Sequence, residues 1–296
     1  MGDSKIMKTT IIICTKNRPK LLIERSLPSV LKQTFPRTIK GNLRTGIHQW
    51  AVNIIDSSTN DETYQELKKD YRGIYYYRMP EPNNLTMARN KGVELAQSEY
   101  IVFLDDDNEF YSNYLEETIE FLDKHSEYDA VGIGKDVILP EGKVYQSPPE
   151  GDYFSMNDGF LMKRKAFLDV KCDEILMANE DADFGLRFLK KYKVGRIDKP
   201  LMKVYASAIF NRTSYSDYSD SHLEGLMRFW LKNQNEFDEI NKRYYQKMVG
   251  RYFLLAAGRP KWFKPMYWLE EKIKRYLRIY DSCKNSIKAS IGRWRD

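Results

Sequence analysis

Three consecutive aspartates, Asp105, Asp106 and Asp107, follow the apolar run from Tyr100 to Leu104. Adjacent carboxylates repel one another, and each is costly to bury without a partner. Either the chain leaves a buried strand for a solvated turn that caps the next helix, or a cation lies there. Carboxylate oxygens are the ligands that Mg²⁺ and Mn²⁺ prefer, and an ion held by one or two of them can still bind phosphates. The triplet is therefore a candidate metal site.

Two further polar clusters follow apolar, β-branched runs. Thr15, Asn17 and Arg18 come directly after the run at residues 10–14, and Asp56 opens the cluster that follows residues 51–55. The carboxyl ends of parallel strands meet at one edge of a sheet, where such folds bind ligands. One polar turn can be a surface turn, but three of them predict a single ligand cleft.

Two other features carry charge in unusual places. Arg89 lies near the start of a predicted helix, where acidic residues are favoured, so it is either a surface residue or a group directed into the cleft. Glu180 and Asp181 open another predicted helix, where they could simply complement the helix dipole. Asp181 precedes Phe184 by three residues and Phe188 by seven, which predicts that it shares their inward face and is a candidate general base.

Strands and helices alternate in the first half of the chain. We predict four strands and four helices there, which implies an α/β fold with a mostly parallel sheet and flanking helices. The strands are expected at residues 10–14, 51–55, 74–78 and 100–104. The helices are expected at 19–33 with a possible kink at Pro28, at 61–71, at 86–97 with Thr86 as the cap, and at 111–124.

The second half is less regular and ends in a basic region. Residues 135–147 suggest a hairpin, and a helical pattern resumes beyond residue 214, so we place a domain boundary between residues 215 and 216. Residues 241–296 contain 15 Lys and Arg but 4 Asp and Glu, a net charge of +11 in a chain whose net charge is +6. Such asymmetry suggests an anionic partner, either a membrane or a nucleic acid.

Six motifs, in order along the chain, resemble family 2 glycosyltransferases of the GT-A fold. The resemblance covers about two-thirds of the chain, roughly residues 8–204. The motifs are Thr15-Lys16-Asn17-Arg18-Pro19, the stretch 27–34, the stretch 56–61, Ala88-Arg89-Asn90-Lys91-Gly92, Leu104-Asp105-Asp106-Asp107 and Glu180-Asp181.

The resemblance implies a role for each matching position. Thr15, Asn17 and Arg18 would border the nucleotide, Asp56 would bind the base, and Arg89 would contact the base or the diphosphate. Asp105 or Asp106 would hold the ribose, and Asp107 would bind Mn²⁺ or Mg²⁺. Asp181 would be the catalytic base, with Glu180 beside it in the acceptor site. The family is largely inverting, and uracil is the base read more often among its members.

Departures from the family narrow the expected activity. The QxxRW signature of processive synthases is absent, and no apolar run reaches the roughly 18 residues of a spanning helix, which favours transfer of one sugar to a glycan or lipid-linked acceptor. Residues 35–50 resemble an insertion of unknown role. A retaining transferase, a sugar nucleotidyltransferase and a non-catalytic interaction protein remain the alternatives.

The composition and the basic tail suggest where the protein acts. Three widely spaced Cys without a CxxC pattern fit a reducing compartment, so we expect a cytoplasmic protein. The region from residue 241 mixes Lys and Arg with Trp262, Trp268 and other aromatic residues, a composition that favours an anionic membrane surface. No nucleic-acid-binding motif accompanies the charge, and we expect no nucleic-acid partner.

Overall fold

The computed structural model describes residues 7–36, 49–70, 74–147, 158–176 and 179–205, together with residues 225, 228, 229 and 231–233. The described residues fall into two compact units. The first contains those up to Cys172 and those from Phe184 to 205, and the second contains Asp173–Asp183 and those between 225 and 233. The predicted boundary between residues 215 and 216, most of the predicted insertion and the basic tail lie outside the described residues, so these three interpretations stay predictions.

The first unit is built on one nine-stranded sheet, which confirms the predicted fold class. Strand order is β3-β2-β1-β4-β8-β6-β9-β5, and β7 pairs with β6. The pairs β3·β2, β2·β1 and β1·β4 are parallel, as predicted, while β8 is antiparallel to both of its neighbours. The strands are β1 (Thr9–Thr15), β2 (Trp50–Asp56), β3 (Ile74–Arg78), β4 (Tyr100–Phe103), β5 (Glu109–Phe110), β6 (Ala130–Ile138), β7 (Val144–Ser147), β8 (Leu161–Lys163) and β9 (Val194–Tyr205).

Helices cover both faces of the sheet, as the alternating pattern predicts. They are α1 (Pro19–Leu21), a π-helical segment (Leu22–Ser26), α2 (Leu27–Leu31), α3 (Glu62–Asp70), α4 (Leu85–Leu95), α5 (Tyr114–Lys124), α6 (Arg164–Val170) and α7 (Glu180–Leu189). The π-helical segment ends two residues before Pro28. Proline cannot donate a backbone hydrogen bond to the preceding turn, and single π-helical turns occur where the regular α-helical bonding is interrupted.

The core has two layers because β1, β2 and β4 are buried on both faces. On one face, Ile11 and Ile13 pack with apolar residues of α2 and α5. On the other, Ile12 packs with residues of α4 and α6 and with Phe184 and Phe188. This double burial explains why the strands are continuous apolar runs in the sequence rather than alternating ones.

Helix α4 lies close to the sheet at Gly92. A Cβ atom at this position would overlap the Cγ2 of Ile12, so any other residue requires the Ile12 side chain or the helix to shift. The helix is capped by Asn84, whose side chain accepts from the backbone N–H of Met87 at 2.9 Å. The predicted cap at Thr86 was therefore wrong. Asn84 has the extended backbone that a cap needs. The hydroxyl of Thr86 instead donates to the side chain of Asn84 at 2.6 Å.

Candidate active site

The loops that follow β1 and β2 are joined at the carboxyl edge of the sheet. Thr15 and Asp56 are partners in the last register position of the two strands. The backbone N–H of Asn17 donates to the Ser58 hydroxyl at 2.8 Å, and the Asn17 side chain accepts from the N–H of Thr59 at 2.9 Å. Asn17 has a φ of +56°, a left-handed conformation that asparagine tolerates better than most residues. Asn17 therefore holds two predicted nucleotide loops together.

The aspartate triplet lies against the loop that follows β1. The hydroxyl of Thr15 donates to Asp106 Oδ2 at 2.6 Å. The guanidinium of Arg18 contacts Asp106 Oδ1 at 2.5 Å and Asp107 Oδ2 at 3.0 Å. The two carboxylates are at most 1% exposed, whereas Arg18 is 38% exposed. The predicted convergence of the cluster after β1 and the aspartate triplet is confirmed, and Arg18 supplies a positive charge at the triplet.

Burial governs the ionisation of Asp106. Removal from water raises the pKa of this carboxyl to about 7, although the Arg18 guanidinium and the Thr15 hydroxyl act in the opposite direction. The neighbouring carboxylates Asp105 and Asp107 add to the rise because like charges repel. A second positive charge brought to this turn would favour the ionised form of Asp106, as Arg18 already does.

Arg89 and Asp105 form the more open part of the same cluster. Arg89 Nη2 lies 3.8 Å from Asp105 Oδ1, and the guanidinium carbon is 5.7 Å from the centre of the Phe103 ring. The side chain of Arg89 is 6% exposed and that of Asp105 is 31% exposed. Arg89 is therefore not a surface arginine. It is directed towards the triplet, which agrees with the prediction of a group directed into the cleft.

Asp56 is fully buried, and both of its carboxylate oxygens accept hydrogen bonds. Its Oδ1 accepts from the N–H of Ser58 at 2.8 Å, and its Oδ2 accepts from the Tyr76 hydroxyl at 2.7 Å. Burial and this acceptor raise the pKa of Tyr76 to about 12, so the phenol keeps its proton and acts as the donor. A carboxylate has about four acceptor sites, so these two contacts do not use the full hydrogen-bonding capacity of Asp56.

Arg78 organises the loop after β2, and sequence reasoning missed it. Its Nε lies 3.4 Å from Asp56 Oδ2, its Nη1 donates to the carbonyl of Ser58 at 2.6 Å, and its Nη2 donates to the carbonyl of Asn60 at 2.5 Å. The planar fork of arginine suits such multiple contacts. The position of Arg78, at the end of β3 and next to β2 in the sheet, is the signal that could have revealed it.

Asp158 is a second residue that sequence reasoning missed. It is buried, and its Oδ2 accepts from the backbone N–H of Asp105 at 3.4 Å and from the side chain of Asn108. Asp105 and Asn108 bracket the turn of the triplet, so Asp158 fixes that turn at both ends. The residue is 53 positions from Asp105 in the sequence, and no local pattern points to the contact.

The triplet fits the ligand chemistry of Mg²⁺ or Mn²⁺ in part. Its donors are all carboxylate oxygens, which both ions accept. Nowhere in the described part of the chain do three or more His, Cys, Asp or Glu side chains form a group that could hold a metal ion. One or two carboxylates suit an ion whose remaining ligands are water and substrate phosphates.

The first turn of α7 carries Glu180, Asp181 and Asp183, and it belongs to the second unit. Glu180 and Asp181 are half-buried, and Asp181 Oδ1 accepts from the N–H of Ala182 at 2.8 Å. Asp183, not Asp181, is the fully buried acid of this turn. Asp181 is half-buried, and the predicted inward orientation of its side chain stays a prediction. Asp183 pairs with the partly buried Lys232 and with the buried amide of Asn233, and these contacts offset the cost of its desolvation. Asp181 keeps the partial exposure that a base needs.

Comparison with known protein families identifies the family to which this chain belongs. The family model described as Glycosyl transferase family 2 matches residues 10–174, which is more than half of the chain. The chain belongs to glycosyl transferase family 2. The matched range contains the three strand-end clusters and Arg89, and it ends before Glu180 and Asp181. The protein is thus a glycosyltransferase, as the resemblance implies.

Relatives of this family 2 glycosyltransferase include two curated proteins. The uncharacterized glycosyltransferase MJ1057 of Methanocaldococcus jannaschii is 22% identical over 273 residues, which cover 84% of this chain and 87% of that protein. The poly(ribitol-phosphate) beta-N-acetylglucosaminyltransferase TarP of Staphylococcus aureus is 27% identical over 203 residues, which cover 63% of this chain and 58% of TarP. The chain therefore spans little more than half of TarP.

A solved structure also resembles this family 2 glycosyltransferase. TarS 1–349 of S. aureus, in complex with UDP-GlcNAc, has a TM-score of 0.58 and 17% sequence identity, covering 96% of this chain and 92% of that one. At this identity the likeness shows the fold, which is the GT-A fold. None of the described helices is long and apolar enough to cross a membrane.

Proposed function

We propose that the protein transfers one sugar from a nucleotide-diphospho-sugar, with UDP as the preferred nucleotide, to a glycan or lipid-linked acceptor. The observation that carries the proposal is the convergence of three strand-end clusters at one edge of the sheet, with Thr15, Arg18 and Arg89 around the aspartate triplet. The structure of TarS with UDP-GlcNAc and the activity named for TarP support a UDP-sugar donor.

The residues of this edge would divide the recognition of the donor. Asp56 would accept from the base, within the loop that Arg78 fixes, and Asp105 would accept from the ribose hydroxyls. Arg89 would contact the base or the diphosphate. Two cationic side chains at one cluster suit a ligand that carries two phosphates, because guanidinium groups bind phosphate oxygens in paired hydrogen bonds.

Asp107 would hold Mn²⁺ or Mg²⁺. When bound, such an ion would neutralise the negative charge that develops on the leaving diphosphate. Arg18 now contacts the same carboxylate, at 3.0 Å. Arg18 would therefore exchange its contact with Asp107 for one with the phosphates, which leaves Asp106 tied to the Thr15 hydroxyl.

The transfer itself would be a single in-line displacement. The acceptor hydroxyl oxygen forms the new bond to the anomeric carbon as the bond from that carbon to the diphosphate breaks, and the nucleoside diphosphate leaves. Asp181 would take the proton of the acceptor hydroxyl, which is the role of a general base, and Glu180 would help to hold the acceptor. One displacement inverts the anomeric configuration.

Three measurements test this function. A thermal-shift panel of nucleotide sugars, with Mn²⁺ and with EDTA, identifies the donor, because a ligand at one hundred times its dissociation constant stabilises the folded state by about 2.7 kcal/mol. NMR of the product then gives its anomeric configuration. A retained configuration would replace the proposal with a retaining transferase. Release of pyrophosphate from a nucleoside triphosphate and a sugar phosphate would replace it with a nucleotidyltransferase.

A further inference from the structure

A partly buried polar cluster joins the two ends of the segment Asp173–Asp183, which carries Glu180 and Asp181. Lys232 Nζ lies 2.6 Å from Asp173 Oδ2 and 2.9 Å from Asp183 Oδ1. Asp183 is fully buried, and Lys232 is 25% exposed. All of these residues belong to the second unit. One lysine therefore pairs with both the first and the last residue of the segment.

Asn233 adds neutral hydrogen bonds to the same cluster. Its side-chain N–H group donates to Asp183 Oδ1 at 3.0 Å and to the carbonyl of Phe229 at 3.0 Å. Lys232 and Asn233 lie in helical backbone, and both Phe229 and Asn233 are buried. Asp183 thus accepts from a cation and from an amide, which is the pairing that a buried carboxylate requires.

The other end of the segment is fixed in a similar way. Asp173 Oδ1 accepts from the N–H of Ile175 at 3.2 Å, and its backbone carbonyl accepts from the N–H of Leu176 at 3.0 Å. Asp173 therefore begins a local turn while its second carboxylate oxygen binds Lys232. The lysine restrains the segment at a turn and at a helix start, with the half-buried Asp181 close to the second point.

We propose that Lys232 and Asn233 are positioning residues for the Asp181 carboxylate. Asp181 precedes Asp183 by two residues in the same helical turn, where each residue advances about 1.5 Å along the axis. Because the turn is closed by backbone hydrogen bonds, anchoring Asp183 also fixes the backbone of Asp181. The inference rests on the proposed role of Asp181 as the base, and it assigns a catalytic consequence to residues that do not touch the substrate.

The cost of losing the anchor is expected in turnover rather than in donor binding. Displacement of a catalytic group by about 1 Å can lower the rate by roughly 100-fold. The proposed donor-binding residues belong to the first unit, whereas the anchor belongs to the second. A positioning role therefore predicts a fall in kcat with an unchanged dissociation constant for the nucleotide, while general destabilisation would affect both.

The test compares Lys232→Met, Lys232→Arg and Asn233→Ala in the full-length chain. We expect kcat to fall by about 10- to 100-fold in Lys232→Met, to be largely restored in Lys232→Arg and to fall less in Asn233→Ala, with the calorimetric dissociation constant for UDP unchanged in all three. Lys191→Met is the matched control, because it removes an exposed ion pair to Asp169. This variant should keep the wild-type kcat.

Each other outcome overturns the inference. Wild-type kcat in folded Lys232→Met would show that the anchor has no catalytic effect, and a joint loss of UDP binding and thermal stability without rescue by arginine would show a structural role alone. Should Lys232→Met fail to fold, an unchanged kcat in Asn233→Ala would overturn it. Asp181→Asn separates the two proposals: if that variant is inactive while Lys232→Met is fully active, only the positioning role fails.

Discussion

Arg18 donates to Asp107 Oδ2 at 3.0 Å, so the carboxylate proposed to hold a metal is paired with an arginine. The same guanidinium contacts Asp106, and the two acids are almost fully buried. Buried carboxylates need positive charge, and Arg18 provides it to both. Nucleotide binding and metal binding should therefore be coupled through this one turn.

Asp107→Ala should abolish the metal-dependent part of nucleotide binding while the fold is kept. The substitution removes the carboxylate proposed to hold the ion and leaves Thr15 and Arg18 paired with Asp106. Calorimetry of UDP binding, with Mn²⁺ and with EDTA, measures the effect. Asp169→Ala, at an exposed carboxylate, is the control. Equal affinity of the wild-type protein in Mn²⁺ and in EDTA would contradict the prediction.

Asp181→Asn should keep donor binding and lose transfer. The amide has the size of the carboxylate but cannot accept the proton, and loss of a general base typically lowers turnover by about 10²- to 10⁴-fold. Initial rates at saturating donor, together with the dissociation constant for UDP, provide the measurement. A rate close to that of the wild type would mean that Asp181 only complements the dipole of α7.

Arg78→Met should weaken nucleotide binding by roughly 10- to 100-fold, because hydrogen bonds that involve a charged group contribute about 1.5–3 kcal/mol. The change removes the contacts that hold the carbonyls of Ser58 and Asn60 and one partner of Asp56. Arg164→Met is a matched control, since Arg164 also donates to two carbonyls, those of Val93 and Glu94 at the end of α4. Equal UDP affinities in the two variants would refute a role for Arg78 in the base loop.

Gly92→Ala should destabilise the fold by about 1–3 kcal/mol, the usual cost of overpacking a filled core. The new methyl group would overlap the Ile12 side chain, so either that side chain or α4 must shift within the packed core. Urea denaturation followed by circular dichroism gives the free energy of unfolding. Lys91→Ala, which removes an exposed ion pair to Glu94 on the same helix, should change it by less than about 1 kcal/mol. A stability unchanged by Gly92→Ala would show that the helix can shift freely.

The full-length chain should bind anionic vesicles at low salt through residues 241–296. This stretch has a net charge of +11 and lies outside the described residues, so the prediction rests on its sequence. Each basic residue near an anionic surface contributes about 1 kcal/mol, and salt screens the attraction. Co-sedimentation at low and high salt, with and without these residues, is the measurement. If the intact chain stays in the supernatant at low salt, the acceptor is not reached through this surface.

Much of the first unit could be predicted because its strands are buried on both faces. A parallel strand in the middle of a three-layer fold must be apolar throughout, so Ile11, Ile12 and Ile13 reveal β1 without any structural information. The helix caps were harder to assign. Asn84 and Thr86 are both good caps, and only the backbone conformation decides between them.

The sequence by itself determined the fold class and the convergence of the strand-end clusters, because these follow from local hydrophobic runs and from the geometry of parallel sheets. The family followed from the resemblance of its six motifs. Tertiary structure alone decided which charges meet. The contacts of Arg18 with Asp107, of Asp158 with Asp105 and of Lys232 with Asp183 join residues 89, 53 and 49 positions apart. Such pairs leave no local pattern, because a buried charge finds its partner through the packing of distant elements and not through spacing along the chain.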